Sequence, residues 1–188
     1  MNNLQKRILT SIIILPLSFF FIIKGGYYLL IFLLTIFFVA NYELFSVFNK
    51  KIIIFFLDLI LIVSLISIYY LANPLEEIKD VSFYILLWVI ILCVCSDIGG
   101  YVFGRIFKWK KLTKISPKKT VSGALGSFTF SLISVFIAKI FLPVSSIVNF
   151  LDAKFFFLAI IFSLVAQSGD LIISYFKRLE KIKDSGKI

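Results

Sequence analysis

Residues 52–72 read IIIFFLDLILIVSLISIYYLA, a run broken by one charged side chain, Asp58. A helix rises about 1.5 Å per residue and the hydrocarbon core of a bilayer is about 30 Å thick, so about 20 apolar residues cross it. This run meets that length on its own. Further stretches meet or approach it at 8–23, 27–48, 81–103, 122–142 and 155–175. None alternates apolar with polar residues as a membrane barrel strand does, so each is a predicted helix. The expectation is an all-α fold: a polytopic transmembrane helical bundle of about six spans, forming a single membrane domain over 1–188. Lys24-Gly25-Gly26 leaves almost no loop between the first two spans, which predicts a tight helical hairpin. Lys6 and Arg7 precede the first span as they would a signal peptide. No small-x-small cleavage site follows, so the span reads as retained.

The composition agrees. Of 188 residues, 61% are hydrophobic and 16% charged, against about 45–50% and about 25% in soluble domains. Soluble globular, disordered, collagen-like and disulfide-rich classes are excluded. The chain has no histidine, which removes imidazole as general base, zinc ligand or neutral-pH switch. Cys93 and Cys95 stand two apart in an apolar run. Positions two apart on a helix do not face each other, so both read as small apolar fillers.

Loop lysines and arginines set the orientation. With the six spans above, 16 lie on one side and 3 (Lys24, Lys79, Lys154) on the other, Lys139 falling within the fifth span. Both termini are therefore expected in the cytoplasm of an integral cell membrane protein. The net charge of +10 then reads as a topology signal and as attraction to anionic lipids, with no nucleic-acid partner.

A carboxylate at the centre of a span costs about 2.5–3.5 kcal/mol on insertion scales, so those present call for a partner or a function. Asp97 opens Asp97-Ile98-Gly99-Gly100-Tyr101-Val102-Phe103-Gly104-Arg105. Asp97, Gly100, Tyr101 and Gly104 share a helical face, and the glycines admit a close backbone or ligand. A packing seam with Asp97 paired to Arg105 would account for the same pattern. Along 167–185, Gln167, Asp170, Ser174, Lys177, Arg178, Lys181, Asp184 and Ser185 fall in one arc of about 120°. An amphipathic helix leaving the membrane explains the cations of that stripe, but not Gln167 and Asp170 at membrane depth. Between these blocks, Ser116-Pro117-Lys118-Lys119-Thr120 leads to Gly123. Serine before proline, with lysines beside Thr120, suits a helix N-terminus opening the fifth span and facing a phosphate. Taken alone, the segment reads better as a basic loop that sets topology. Glu43 can snorkel or accept a cation, and Asp58 is given no role.

Acids hold a divalent cation through oxygen, and lysine or arginine holds phosphate. Residue types and spacing thus point to phosphoryl chemistry at a membrane surface.

These blocks resemble the phosphatidate cytidylyltransferase (CDP-diacylglycerol synthase) family. Residues 97–105 look like its Asp-x-Gly-x-Tyr-x-x-Gly-Arg element, and 115–120 with Gly123 like its Ser-Pro-Lys-Lys-Thr element. Gly169-Asp170-Leu171, Ser174, Lys177-Arg178 and Lys183-Asp184-Ser185-Gly186 look like the start of its C-terminal signature. The resemblance covers 97–188 as catalytic-type spans and loops, while 1–96 match only in hydropathy and in small features. Ser122 stands where the family pattern carries glutamate. The family signature continues into a His-Gly-Gly and an acidic segment with a further span, so the resemblance implies a chain lacking its C-terminal segment.

What the resemblance implies is transfer of CMP from CTP to phosphatidate. Asp97, Asp170 and Asp184 would hold magnesium or its water shell, with room for a second cation. Lys118, Lys119, Lys177, Arg178 and Lys183 would hold triphosphate or phosphatidate oxygens. Ser116, Thr120 and Ser174 would be hydrogen-bond partners. Membrane and anionic lipids are expected partners, and a homodimer is left open. Three other readings stay open: a CTP-dependent polyprenol or phytol kinase, a cation-coupled transporter using Asp97 and Asp170, and an inactive membrane fragment.

Overall fold

In lipid every backbone N–H must find its acceptor within the chain, so long apolar runs become helices. The structure, a computed structural model, describes residues 14, 16–74, 79–113, 116, 119–142 and 150–180. A helical segment α1 (16–24) leads into α2 (Gly26–Val47), α3 (Lys51–Ala72), α4 (Lys79–Phe107), α5 (Val121–Phe141) and α6 (Ala153–Leu179). The last five are long and apolar enough to cross a membrane. The expected helical bundle is borne out. Of the expected first span, 8–23, residues 16–23 are helical and most of the rest lie outside the described residues.

The tight joint after the first helix is present and is a single residue long. Gly25 and Gly26 have φ of 61° and 54°, a conformation L side chains rarely adopt. Gly26 donates its N–H to Asn73 Oδ1 at 2.5 Å, and Asn73 Nδ2 donates to the Tyr69 carbonyl at 3.1 Å. One asparagine thus ties the joint to the end of α3. Within the α2–α3 hairpin, Asn41 Nδ2 donates to Asp58 Oδ1 at 3.0 Å. Asp58, given no role from sequence, is the acceptor of a hydrogen bond between spans.

At the opposite end of that hairpin, Phe48, Ile53 and Ile54 form a buried cluster against Phe176 of α6. The Lys50 N–H donates to Glu180 Oε1 at 3.0 Å. The turn from α2 to α3, the end of α4, the start of α5 and the end of α6 therefore gather at one basic end. At the other end Trp88, Leu92, Val135, Ala138, Phe150, Phe155 and Ala159 form an apolar core. Trp88 packs edge-on to Phe155, with centroids 5.2 Å apart.

Between these levels α4 and α5 meet along glycines. A Cβ added at Gly99 would strike the Gly126 carbonyl oxygen, and one at Gly126 would strike that of Gly99. Only glycine permits this approach. Gly123, Gly126, Ser127, Ser131, Ser134 and Ala138 give α5 a buried face of small residues, the side-chain type that brings membrane helices together.

Candidate functional site

The glycine contact holds α4 and α5 close near the basic end, and α6 crosses beside them. A cavity of about 650 Å³ lies among the three, lined by Asp97, Lys119, Thr120, Gln167 and Asp170 among others. Asp97 sits ten residues before the end of α4, about 15 Å along the axis. Asp97, Gly100, Tyr101 and Gly104 all line the cavity, as their shared helical face predicted. Arg105 also lines it. Its Nη1 donates to the Tyr101 hydroxyl at 2.7 Å, so the arginine engages Tyr101, where a pairing with Asp97 was the alternative reading.

Lys119 reaches the cavity from the segment before α5. That segment is a short hairpin: Lys111 and Thr120 form an antiparallel bridge. Leu112 N donates to the Lys119 carbonyl at 2.8 Å, and Val121 N to the Lys110 carbonyl at 3.0 Å. Thr120 caps α5, its hydroxyl accepting from Gly123 N at 3.1 Å. The helix therefore begins four residues beyond the proline position expected to open it. The reason is that Thr120, bridged to Lys111, is extended, with φ of −115° and ψ of 156°, so helical geometry starts only after it. Ser116 stays in the hairpin, where its N–H donates to Thr113 Oγ1 at 3.2 Å.

From this hairpin Lys119 Nζ lies 2.6 Å from Asp170 Oδ2 and donates to the Gln167 carbonyl at 3.4 Å. Beneath the charged groups a chain of hydroxyls joins all three helices. Ser127 Oγ donates to the Ser96 carbonyl at 2.9 Å. Ser96 Oγ lies 3.1 Å from Ser163 Oγ, which accepts from Gln167 Nε2 at 3.3 Å. Ser96, Ser127 and Ser163 are buried. The sequence reading missed all three. Their signal was there: Ser96 adjoins Asp97, while Ser127 and Ser163 stand four residues from Gly123 and Gln167.

Of the residues singled out from sequence, Asp97, Lys119, Thr120 and Asp170 come together here. Lys177 lines a second cavity of about 340 Å³ between α2, α3 and α6, together with Glu43 and Ile173. The polar stripe of α6 is present but runs along the axis. Seven residues separate Lys177 from Asp170, about 10 Å of helix, so the stripe serves two cavities in series. Ser174 and Arg178 line neither of the two. Lys118, Lys183 and Asp184 lie outside the described residues.

Apolar spans and a charged cavity among three of them define an integral membrane protein with a polar site near its basic end. Comparison with known proteins gives the family. The sequence model described as Cytidylyltransferase family matches residues 52–188. The chain is 33% identical over its whole length to a phosphatidate cytidylyltransferase of Rickettsia bellii, covering 80% of that protein. It is 42% identical over 109 residues to that of Rickettsia typhi, 53% of this chain and 47% of that protein. It is 38% identical over 117 residues to that of Staphylococcus saprophyticus, 61% of this chain and 43% of that protein. The chain belongs to the cytidylyltransferase family. It spans about half the length of the first of these relatives that it matches. No solved structure matches.

Proposed function

We propose that this chain serves the transfer of CMP from CTP to phosphatidate, giving CDP-diacylglycerol and pyrophosphate, at the cavity lined by Asp97, Lys119 and Asp170. The observation that carries the reading is that two acids and a lysine from three separate elements converge at one cavity among the apolar helices. The relatives' name supplies the substrates.

The reaction needs no imidazole. A phosphate monoester has a second pKa near 6 and is largely ionised at neutral pH. Its oxygen bonds to the α-phosphorus of CTP as the bond to the bridging oxygen breaks and pyrophosphate leaves. The task is to bring two polyanions together and balance their charge. Lys119 faces the cavity to hold phosphate oxygens, and Thr120 presents a hydroxyl there.

The donor set fits magnesium. Asp97 and Asp170 offer carboxylate oxygen, and magnesium is commonly held by one or two carboxylates plus substrate phosphates. When bound, the ion would supply charge neutralisation at the transferring phosphoryl group. In this reading Lys177 and Arg178, further along α6, would hold a lipid phosphate near the surface. Lys118, Lys183 and Asp184 remain candidates in the same roles. The 16-to-3 distribution of loop cations supports a cytoplasmic side for the basic end, the site and both termini.

Membranes containing the chain, given phosphatidate, magnesium and labelled CTP, test the reading. Label at the α-phosphate should enter lipid, and label at the γ-phosphate should not; the reverse result marks a lipid kinase. Asp170→Asn should lower the α-transfer about 100-fold or more, and Asp58→Asn far less.

A further inference from the structure

The two groups with most to do at the proposed site are holding each other. Lys119 Nζ is 2.6 Å from Asp170 Oδ2. A carboxylate neutralised by an ammonium binds a cation less well, since the incoming charge meets a like charge beside it. An ammonium neutralised by a carboxylate binds a phosphate less well, for the mirror reason. Lys119 is positioned for this from both sides. Its backbone is fixed by the Leu112 and Ser116 hydrogen bonds of the hairpin, and its tip also donates to the Gln167 carbonyl, three residues before Asp170. The remaining charges facing the cavity differ in kind. Arg105 is engaged with the Tyr101 hydroxyl, and Asp97 comes from α4 rather than α6.

Resting on the nucleotide-transfer reading, we infer that the Lys119–Asp170 ion pair is a self-neutralised resting state that is exchanged on loading. Phosphate takes Lys119, a divalent cation takes Asp170, and neither ligand alone finds its partner free. The pair thereby couples the two ligands through the protein, in addition to whatever contact they make with each other. Lys119 acts on the cation as a positioning residue, through Asp170. An ion pair of this partly exposed kind is worth up to about fivefold in an equilibrium constant, and that sets the size of the effect.

The test uses the purified chain in neutral detergent, with no turnover required. Manganese binding is read by electron paramagnetic resonance without nucleotide, and CTP binding by labelled ligand with chelator present. Lys119→Met should bind manganese about fivefold tighter than the parent chain, whereas Arg105→Met, which removes the same charge from the same cavity, should change it less than about twofold. Asp170→Asn should bind metal-free CTP about fivefold tighter, and Asp97→Asn less than about twofold. Lys119→Arg, which keeps the ion pair, should return manganese binding to the parent value and shows that position 119 tolerates change. Equal shifts within each charge-matched pair, with CTP bound normally, would overturn the exchange and leave the transfer reading standing. Absence of both manganese and CTP binding in every protein would overturn both.

Discussion

The α4–α5 contact makes a sharp prediction at Gly126. A methyl there would meet the Gly99 carbonyl oxygen, and would lie 2.5 Å from Phe103 Cβ and 2.7 Å from its Cγ. Carbon atoms rest about 3.5–4.0 Å apart, so Gly126→Ala overlaps its neighbours by about 1 Å. Backbone lies on one side and a ring root on the other, so the strain cannot be shed by turning a flexible side chain. The helices must part, and overpacking of this kind costs about 1–3 kcal/mol. Gly99→Ala is the mirror case, meeting the Gly126 carbonyl oxygen, with Phe130 Cβ at 2.6 Å. Because one separation of the helices makes room for both methyls, the double variant should cost clearly less than the sum of the singles, a coupling of about 0.5–3 kcal/mol. Gly169 is the internal control. Nothing lies within 4 Å of a Cβ built there, so Gly169→Ala should stabilise α6 by about 0.5–1 kcal/mol. Unfolding by sodium dodecyl sulfate from neutral micelles, followed by tryptophan fluorescence, reads all four proteins. A Gly126→Ala chain as stable as its parent, or a double variant that costs the full sum, would refute the backbone-to-backbone contact.

Two other expectations follow from the fold and its orientation. Asn41→Leu alone should destabilise the α2–α3 hairpin by about 0.6–1.7 kcal/mol, and adding Asp58→Leu should recover part of that loss, because no stranded carboxylate then remains in the span; the same detergent titration decides, and a double variant worse than the single would count against the pairing. A single cysteine at Lys111, with Cys93 and Cys95 replaced by alanine, should react with a membrane-impermeant maleimide only from the cytoplasmic face, and labelling from outside would reverse the proposed orientation.

Much of the fold was legible because the bilayer imposes one dominant rule. Residues 52–72 could be little else than a span, and Lys24-Gly25-Gly26 could be little else than a joint. The site was legible where chemistry is expensive: Asp97 and Asp170 stood out because carboxylates seldom lie in apolar helices without cause. Three things were hidden. The start of α5 is fixed by a bridge between Lys111 and Thr120, a tertiary pairing that local helix signals at Ser116-Pro117 do not contain. The Asn41–Asp58 bond joins residues of different spans, so neither side chain announced it. The separation of Lys177 from Asp170 needed depth along α6, whereas a helical wheel collapses that dimension and shows one stripe.

The serine layer explains why a charged cavity can sit among these helices at all. Unpaired carboxylates set directly on the Trp88–Phe155 core would face hydrocarbon with no donors in reach, and each unsatisfied polar group there costs several kcal/mol. Ser96, Ser127 and Ser163 stand between, bonded to one another and to the Ser96 carbonyl, so polarity grades from hydrocarbon through hydroxyl to charge along the three helices. The same hydroxyls are small enough to preserve the close approach set by Gly99 and Gly126. Replacing Ser163, which is fully buried, by leucine would add bulk where α4 and α6 meet and strand both Ser96 Oγ and Gln167 Nε2. Gln167 is also the residue whose carbonyl takes Lys119. Packing and site chemistry therefore meet at Gln167: its side chain donates to Ser163 of the hydroxyl layer, while its carbonyl takes Lys119, which in turn pairs with Asp170.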